Sequence, residues 1–392
     1  MARSALAVPA AAVALLVLAR PGDASAETLA LALAPERLTF GGATTASGVL
    51  TPAQPDVGIV VERRAGPGWE TVAETATDAA GAFSATFEPR AGGRVRARIA
   101  DAGAISSEVR LSVLPSIAVR RSGGRAFLGA PLRVQIRPVT YRGRVTVFSL
   151  RGGRVVGRAS GRVRDGRLRV VAPTPGIGSF RVRLRFPAAF GLEPRIVKSR
   201  VRATARRLSV GSHGPDVRAL HRRLAELRVH VPGLSRRYSW ATFDAVLAFQ
   251  KAVGLSRTGV VSAATWRALG RRRGFGPCYG RPKLHIEVDK TRQILMVVRR
   301  GRVTAVLPVS TGATGNTPVG AFRILWKAPA TSTWLGPGIL YRTMTFHGNF
   351  AIHGWADVPP YPASHGCVRV PIWAADWLYD RSPVGERVYV YG

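Results

Sequence analysis

The sequence has little of the composition that marks a disordered or fibrous chain. Gly (43) and Pro (27) make up about 18% of the 392 residues, below the ~25 to 30% typical of low-complexity disorder. Acidic side chains are scarce, since 22 Asp and Glu stand against 58 Lys and Arg, and only five of those cations are Lys. At ~100 to 200 residues per domain we expect two to four separate cores. The arginine excess fits a GC-rich genome as well as it fits a function.

Long apolar runs are also missing, except at the N-terminus. Arg3 precedes an apolar run from Ala5 to Ala19, and Ala24-Ser25-Ala26 has the small residues of a cleavage site. As a helix this run rises only ~22 Å, short of the ~30 Å of hydrocarbon in a bilayer. We therefore predict a cleaved secretory signal over residues 1–26, with a membrane anchor as the alternative. No later segment approaches a membrane span, so we expect a secreted, extracytoplasmic protein that does not bind nucleic acid.

Charge and strand patterns then divide the chain near Pro115. Residues 27–115 carry 8 basic and 10 acidic side chains, whereas residues 116–205 carry 21 and 2. Both segments show period-two strands, for example at 58–62, 94–98, 145–148 and 181–185. We predict two immunoglobulin-like β-sandwiches over these two ranges. The arginines of the second lie on the solvent face of a sheet, as a hydrated surface or as a site for anionic wall polymers.

The period changes to that of helices from Leu208. We predict one helix behind Gly214-Pro215-Asp216, a second from about Trp240 to Lys251, and a third that Ser262 caps. These form a three-helix unit over residues 206–270, followed by a linker at 271–282. A mainly β domain follows over residues 283–392, interrupted by a short helix at 371–379. Alternation along its first strand leaves His285 on the outer face.

The order of residues in the three-helix unit resembles a peptidoglycan-binding helical repeat. The matching patterns are Gly-x-x-Gly-Pro-Asp-Val-x-x-Leu, then Ala-Val-x-x-Phe-Gln at 245–250, then Thr-Trp-x-x-Leu at 265–269. The sequence departs from that pattern at His221 and Ser262. The resemblance implies peptidoglycan as a partner, although most of the matching residues are core or capping positions.

Histidine and cysteine cluster near the C-terminus. His347, His353 and His365 fall within a short stretch that ends at Cys367, and a glycine follows each histidine. A thiol of pKa ~8.5 is only a few per cent thiolate at neutral pH, so a nucleophilic cysteine needs a neighbouring imidazole, or amides aimed at the sulfur, to ionise it. We expect the imidazole of His353 to fold back onto Cys367.

The other parts of an acyl-transfer site are close by in the sequence. The backbone carbonyl of Gly354 is the candidate that orients the ring of His353. The backbone amides of His365, Gly366 and Cys367 are candidates for the oxyanion hole, where each such donor contributes ~3 kcal/mol of transition-state stabilisation.

Ser-His-Gly-Cys-Val-Arg at 364–369, preceded by Ile-His-Gly at 352–354, strongly resembles the catalytic motif of the L,D-transpeptidase family. Pro-Val-Ser-Thr-Gly at 308–312 and Thr-Pro-x-Gly at 317–320 extend the resemblance. It implies Cys367 as nucleophile, His353 as general base and Gly354 as its orienting carbonyl. It further implies a thioester intermediate, release of the terminal D-Ala, 3-to-3 cross-linking of peptidoglycan, and no metal or cofactor. The substrate-binding candidates are Arg369, Ser364, Tyr341 and Trp334.

Three alternatives stay open from the sequence. Water as acceptor would make the enzyme an L,D-carboxypeptidase. The three histidines and Cys367 could instead be the ligands of a zinc ion, and a non-catalytic wall-binding protein is the alternative from another functional class.

Cys278 is the only other cysteine, and we expect it to be free or buried because a disulfide would remove the nucleophile. We expect a monomer. The segment from Trp326 to Tyr341 is a lid, a groove wall or a surface loop.

Overall fold

The computed structural model describes residues 26–101, 103–332 and 339–392. Over these residues the chain is mainly β, as the sequence predicts. It divides into two compact units: the part up to Ser116 together with Phe190–Glu193, and Ile117–Ala189 together with Pro194–Gly392. The predicted signal at residues 1–26 lies almost wholly outside the described residues. Among the described residues, no helix has the length and apolar character needed to cross a membrane.

The first unit consists of two antiparallel-rich sheets. Its strands are β1 (Thr28–Leu29), β2 (Ala32–Ala34), β3 (Arg37–Thr39), β4 (Thr44–Thr51), β5 (Gly58–Ala65), β6 (Gly68–Ala76), β7 (Ala82–Phe87), β8 (Gly93–Ile99) and β9 (Val109–Leu114). One sheet has the order β1-β4-β2 with β7 paired to β4, and the other has the order β3-β9-β8-β5-β6. Leu50, Ile59 and Phe83 are buried between strands whose residues alternate between core and solvent. An immunoglobulin-like classification stays a prediction.

The second unit begins with another pair of sheets. The strands are β10 (Ser116–Arg121), β11 (Gly124–Arg125), β12 (Ala130–Arg137), β13 (Gly143–Arg151), β14 (Arg154–Val163), β15 (Arg167–Ala172), β16 (Gly178–Phe186) and β17 (Arg195–Thr204). They form sheets in the orders β10-β12-β15 and β11-β17-β16-β13-β14. Strict alternation along β12 and β16 buries the aliphatic residues and exposes the arginines.

Three helices follow, close to the predicted bounds. They are α1 (Pro215–Glu226), α2 (Trp240–Ala252) and α3 (Ala263–Arg271). Ser262 caps α3, because its side chain accepts a hydrogen bond from the Thr265 amide. Leu220, Phe249 and Trp266 are buried together in the core of this helical unit. The predicted positions of all three helices are confirmed.

The C-terminal segment contains two sheets and one helix, and the helix packs on the second of these sheets. Its elements are β18 (Leu284–Asp289), β19 (Ile294–Arg299), β20 (Arg302–Pro308), β21 (Gly320–Arg323), β22 (Trp326–Ser332), β23 (Ile339–His347), β24 (Phe350–Trp355), β25 (Val368–Pro371), α4 (Ile372–Arg381) and β26 (Arg387–Tyr391). The sheet orders are β20-β19-β18-β26-β21 and β22-β23-β24-β25. Ile286, Ile352 and Leu378 lie in the shared core.

The predicted exposure of His285 is wrong. The side chains of His285 and Glu287 are both fully buried, so β18 is covered on both faces. The covering layer is the segment predicted as a linker: the amides of Cys278 and Tyr279 donate to the Glu287 carboxylate at 2.9 and 2.8 Å. Tyr279 also stacks on Tyr389 of β26, with ring centroids 4.0 Å apart. Period-two alternation could not reveal this layer, because it comes from outside the sheet.

Candidate active site

Strands β24 and β25 pair in parallel and bring the two halves of the motif together. In their register Ile352 lies opposite Val368, and His353 lies opposite Arg369. Ile352 and Val368 both belong to the core, so the alternate residues of each strand belong to the other face. Cys367 immediately precedes β25 and lies two residues before Arg369, so continuing the alternation places it on the same face as His353, two residue pairs along the ladder.

The imidazole of His353 is held in one orientation. It is only 2% exposed, and its Nδ1 donates to the Gly354 carbonyl at 3.1 Å. In the described part of the chain no hydrogen bond engages Nε2. Burial lowers the pKa of His353 to about 4; the Gly354 carbonyl opposes this shift and the Arg369 charge adds to it. The ring is therefore neutral near pH 7, with Nε2 free to accept a proton.

The thiol of Cys367 is also neutral at rest. Burial raises its pKa, while a hydrogen bond from the Ala351 backbone and the positive charge of Arg369 act in the opposite direction. Its Sγ lies 3.6 Å from the Asn349 carbonyl, to which the thiol donates. A resting thiolate–imidazolium pair is therefore not what this site stabilises. Any ionisation of the sulfur would therefore need a base to accept the thiol proton.

Ser364 shapes the turn that carries the nucleophile. Its Oγ donates to the Cys367 carbonyl at 2.6 Å and accepts from the Gly366 amide at 3.0 Å. The side chain is 4% exposed, so its position favours a structural role over the substrate contact expected from the sequence. The Gly366 amide is engaged in the same way and is not available to an oxyanion. The amides of His365 and Cys367 remain the candidate donors.

Three residues that the sequence analysis did not select as site residues stabilise this turn through hydrogen bonds. Asn316 Nδ2 donates to the His365 carbonyl at 2.8 Å, and Thr317 Oγ1 donates to the Gly366 carbonyl at 2.6 Å. The Gly312 amide in turn donates to Thr317 Oγ1 at 2.8 Å. Gly366 itself has φ +141°, and a Cβ there would lie 2.6 Å from the Phe350 ring. In the sequence, the only signal for these contacts was the family resemblance at residues 308–312 and 317–320. That resemblance did not indicate which atoms they would bind.

The other residues predicted to bind substrate are Arg369, Tyr341 and Trp334, and they have different environments. The Arg369 guanidinium lies 5.1 Å from the ring of Trp355 and is half-buried. The hydroxyl of Tyr341 donates to Asp376 Oδ1 of α4 at 2.8 Å, which commits it to the fold. Trp334 lies outside the described residues. The segment considered as a lid contains β22 and the start of β23, which pair as an antiparallel hairpin.

The histidine cluster does not assemble as a unit. His347 and His365 are exposed, and the ring of His347 lies beside those of Phe322 and Phe350. Across residues 26–101, 103–332 and 339–392, no three or more His, Cys, Asp or Glu side chains are grouped as metal ligands. Cys278 is exposed and free.

Two family models match the chain. Residues 283–390 match YkuD, described as the L,D-transpeptidase catalytic domain. Residues 213–269 match a putative peptidoglycan binding domain. The comparison with curated protein sequences finds no match.

Several solved structures resemble the chain. The L,D-transpeptidase from Xylanimonas cellulosilytica DSM 15894 is 38% identical, over 48% of this chain and 98% of that chain, with a TM-score of 0.45. An L,D-transpeptidase from Stackebrandtia nassauensis is 25% identical, over 47% of this chain and 95% of that chain, with a TM-score of 0.32. An L,D-transpeptidase from Mycobacterium tuberculosis H37Rv is 12% identical, over 71% and 98%, with a TM-score of 0.27.

Proposed function

We propose that this chain, whose residues 283–390 match the L,D-transpeptidase catalytic domain, is an exported, cysteine-dependent acyltransferase that forms 3-to-3 peptidoglycan cross-links through a thioester on Cys367. The match of residues 213–269 to a putative peptidoglycan binding domain supports peptidoglycan as its partner and the cell wall as its place of action. The observation that carries the proposal is the register of β24 and β25, which supports a shared face for His353 and for Cys367, the residue immediately before β25.

The first half of the reaction forms the thioester. Cys367 Sγ attacks the carbonyl carbon of the L-centred third residue of a stem tetrapeptide while His353 Nε2 takes the thiol proton. The negative charge that develops on the carbonyl oxygen meets the amides of His365 and Cys367. The bond to the terminal D-Ala then breaks, and the imidazolium returns the proton to the leaving amine. The Gly354 carbonyl keeps the ring in the tautomer that this exchange needs.

The second half resolves the thioester. The side-chain amine of a neighbouring stem attacks the acyl carbon and gives a proton to His353. The new amide forms as the carbon–sulfur bond breaks, and the departing sulfur takes the proton back. Water in place of the amine gives the L,D-carboxypeptidase reaction with the same residues.

Labelling with a carbapenem, followed by mass spectrometry, tests the nucleophile. We expect one covalent adduct on the Cys367 peptide, none in Cys367→Ala, and unchanged labelling in Cys278→Ala as the matched control. Absence of an adduct on the wild-type protein would favour the non-catalytic wall-binding reading. Incubation with disaccharide tetrapeptides then separates the two reactions, because cross-linked dimers indicate transpeptidation, whereas uncross-linked disaccharide tripeptides indicate hydrolysis.

A second candidate function, binding of anionic wall polymers, is favoured by the outer face of the β11-β17-β16-β13-β14 sheet. Cations lie directly opposite one another across neighbouring strands: Arg181 faces Arg200, and Arg183 faces Lys198. Like charges in such pairs destabilise a sheet. The exposed cations of this basic face are Arg144, Arg158, Arg162, Arg181, Arg183, Arg185, Lys198, Arg200 and Arg202.

The first unit, which has more acidic than basic side chains, pairs several of its arginines with carboxylates. There, Glu62 accepts hydrogen bonds from Arg96 and Arg98 at 2.9 and 2.8 Å, and Arg94 pairs with Glu108 at 2.8 Å. The basic face of the second pair of sheets has no carboxylate among its strand pairs as described. A phosphodiester polymer would neutralise these rows of charge, which repeat every ~4.8 Å from strand to strand.

Binding of poly(glycerol phosphate) at increasing salt tests this candidate. We expect charge reversal of Arg183, Lys198 and Arg200 to Glu to weaken binding at least about tenfold and to reduce its salt dependence. The matched control reverses Arg133, Arg167 and Arg169, which are exposed on the other sheet of the same region. Equal weakening in both variants would mean that net charge alone attracts the polymer.

A further inference from the structure

We propose that the helical unit, besides binding peptidoglycan, positions the active-site loop through Lys251 and Arg257, which makes these two cations positioning residues for acyl transfer. The inference rests on the proposed function of Cys367 and His353. The loop in question is residues 356–367, which connects the strand of the base to the nucleophile; it is called the base–nucleophile loop below.

Both cations end inside the catalytic segment. Lys251, in the last turn of α2, is 1% exposed, and its Nζ donates to the carbonyls of Val309 and Pro359 at 2.8 and 3.3 Å. Arg257 follows the helix and donates to the Pro360 carbonyl at 2.8 Å and to the Thr291 carbonyl at 3.0 Å. Each side chain therefore joins the base–nucleophile loop to a second part of the catalytic segment.

Three successive carbonyls of the base–nucleophile loop are held by side chains. Lys251 binds that of Pro359, Arg257 binds that of Pro360, and Ser310 Oγ donates to that of Tyr361 at 2.7 Å. Pro359 and Pro360 carry no amide hydrogen, so they cannot anchor this stretch as donors to a sheet. The side chains of the helical unit supply the anchoring that the loop cannot supply for itself.

The anchored segments lead directly to the nucleophile. Val309 is followed by Ser310, whose amide donates to the Arg369 carbonyl at 3.1 Å, and the Arg369 amide donates back to Ser310 at 2.9 Å. Arg369 is two residues from Cys367. The ammonium group of Lys251 thus binds both Pro359 of the base–nucleophile loop and Val309, which precedes the residue that pairs with Arg369. A shift of about 1 Å in such a site can cost about a hundredfold in rate.

The burial of Lys251 is costly, which argues for a role that an apolar residue could not fill. Buried ions are commonly replaced by apolar residues without loss of stability. Burial lowers the pKa of Lys251 to about 7, the charge of Arg257 acts in the same direction, and Asp244 opposes it. Asp244 lies two helical turns earlier on the same face of α2, and accepts a hydrogen bond from Trp373 Nε1 of α4 at 2.8 Å.

The rest of this contact is continuous with the catalytic core. Val229 forms a parallel bridge with Val306 of β20. The His230 amide donates to the Val306 carbonyl at 3.0 Å, and the Val306 amide donates to the Arg228 carbonyl at 2.8 Å. The ring of His230 stacks on Trp373 of α4 with centroids 5.2 Å apart. The helical unit is thus built onto the edge of the catalytic sheet.

The test compares Lys251→Met, Lys251→Arg and Arg257→Gln with the full-length wild type on a soluble stem tetrapeptide, a substrate without glycan. We expect kcat to fall at least about tenfold in Lys251→Met and about threefold in Arg257→Gln, with KM within about twofold. Lys251→Arg keeps the cationic donors, so it should recover a substantial part of kcat. Arg218→Met, which removes an exposed cation of α1, is the matched control and should behave as the wild type.

Binding of the variants to intact peptidoglycan, and their thermal unfolding, separate positioning from other roles. We expect sedimentation with peptidoglycan to stay unchanged. Wild-type kcat in a folded Lys251→Met protein would overturn the proposal, whatever its melting temperature. Should Lys251→Met fail to fold, the test rests on Arg257→Gln, because Arg257 is only half-buried. An unchanged kcat in that variant would overturn the proposal. A wild-type protein that forms no adduct at Cys367 would instead refute the proposed function itself.

Discussion

The two sheets of the catalytic segment each bury a histidine, and they use it in opposite ways. His285 of β18 is fully buried, with Nε2 hydrogen-bonded to Glu287 Oε1 at 2.9 Å and Nδ1 bonded to the Pro282 carbonyl. His353 of β24 is almost as deeply buried, but among the described residues only its Nδ1 has a hydrogen-bond partner. Burial alone therefore does not distinguish a structural histidine from a candidate base. The difference is that Nε2 of His353 has no hydrogen-bond partner in the described part of the chain.

The largest expected effect breaks this contrast on the reactive side. His353→Gln removes the base that accepts the Cys367 proton, so we expect kcat/KM for acylation to fall about a thousandfold. Measurement of carbapenem acylation by stopped-flow fluorescence checks this. The unfolding midpoint in urea should change little, because Gln keeps a donor for the Gly354 carbonyl. Near wild-type acylation would mean that another group deprotonates the sulfur.

The next largest effect concerns His285, the structural histidine of the comparison. His285→Phe leaves Glu287 buried without its imidazole partner, so we expect the free energy of unfolding to fall by about 3 kcal/mol. Urea denaturation measures this change. The kcat of the folded variant should equal that of the wild type, since no atom of His285 faces the substrate. A loss of kcat without a loss of stability would give His285 a part in the reaction that we do not expect.

A half-buried imidazole, that of His230, sharpens the comparison through pH. Burial lowers the pKa of His230 to about 4, and the charge of Arg381 contributes. Because the folded-state pKa lies below the unfolded value, the stabilisation is present above pH ~6.5 and is lost as the pH falls through 4. We expect His230→Phe, which keeps the stacking on Trp373, to reduce this acid sensitivity by about 2 kcal/mol. Urea midpoints at pH 7 and pH 4.5 test it, with His213→Phe, an exposed position, as the control.

The pKa of His353 also determines how the reaction rate should depend on pH in acid. His353 acts as a base only when neutral, and its pKa is lowered to about 4. We expect the acylation rate of the folded enzyme to stay level between pH 5 and 7 and to decline about tenfold per pH unit well below 4. A midpoint near 6.5 would show that the ring is solvated in the working enzyme.

The smallest effect concerns the support of the nucleophile. Thr317→Val removes the hydroxyl that joins the Gly312 amide to the Gly366 carbonyl. At ~1 kcal/mol for such a hydrogen bond, we expect kcat to fall about fivefold with KM unchanged. Steady-state kinetics with Thr317→Ser, which keeps the hydroxyl, provides the comparison. Equal losses in both variants would assign the effect to packing.

Sequence patterns were most informative where the structure is local. The helix positions, the Ser262 cap and the pairing of the His353 and Cys367 segments follow from periodicity and motif spacing. Contacts between distant segments were not accessible in this way. The covering of His285 by residues 278–282, the capture of the base–nucleophile loop by Lys251, and the use of Ser364 within its own turn all depend on tertiary packing. The sequence therefore predicted which segments meet at the candidate site better than which residues hold those segments in place.

The parallel pairing of β24 and β25 has a consequence for how such an enzyme can diversify. In a hairpin the length of the turn sets the strand alignment, whereas in a parallel pair the ladder and the core residues Ile352 and Val368 set it. Insertions between Ala356 and Val358 can therefore change the length of the connection without shifting His353 relative to Arg369. For the proposed transpeptidase, this would let the connection vary separately from the residues that form the acyl-enzyme.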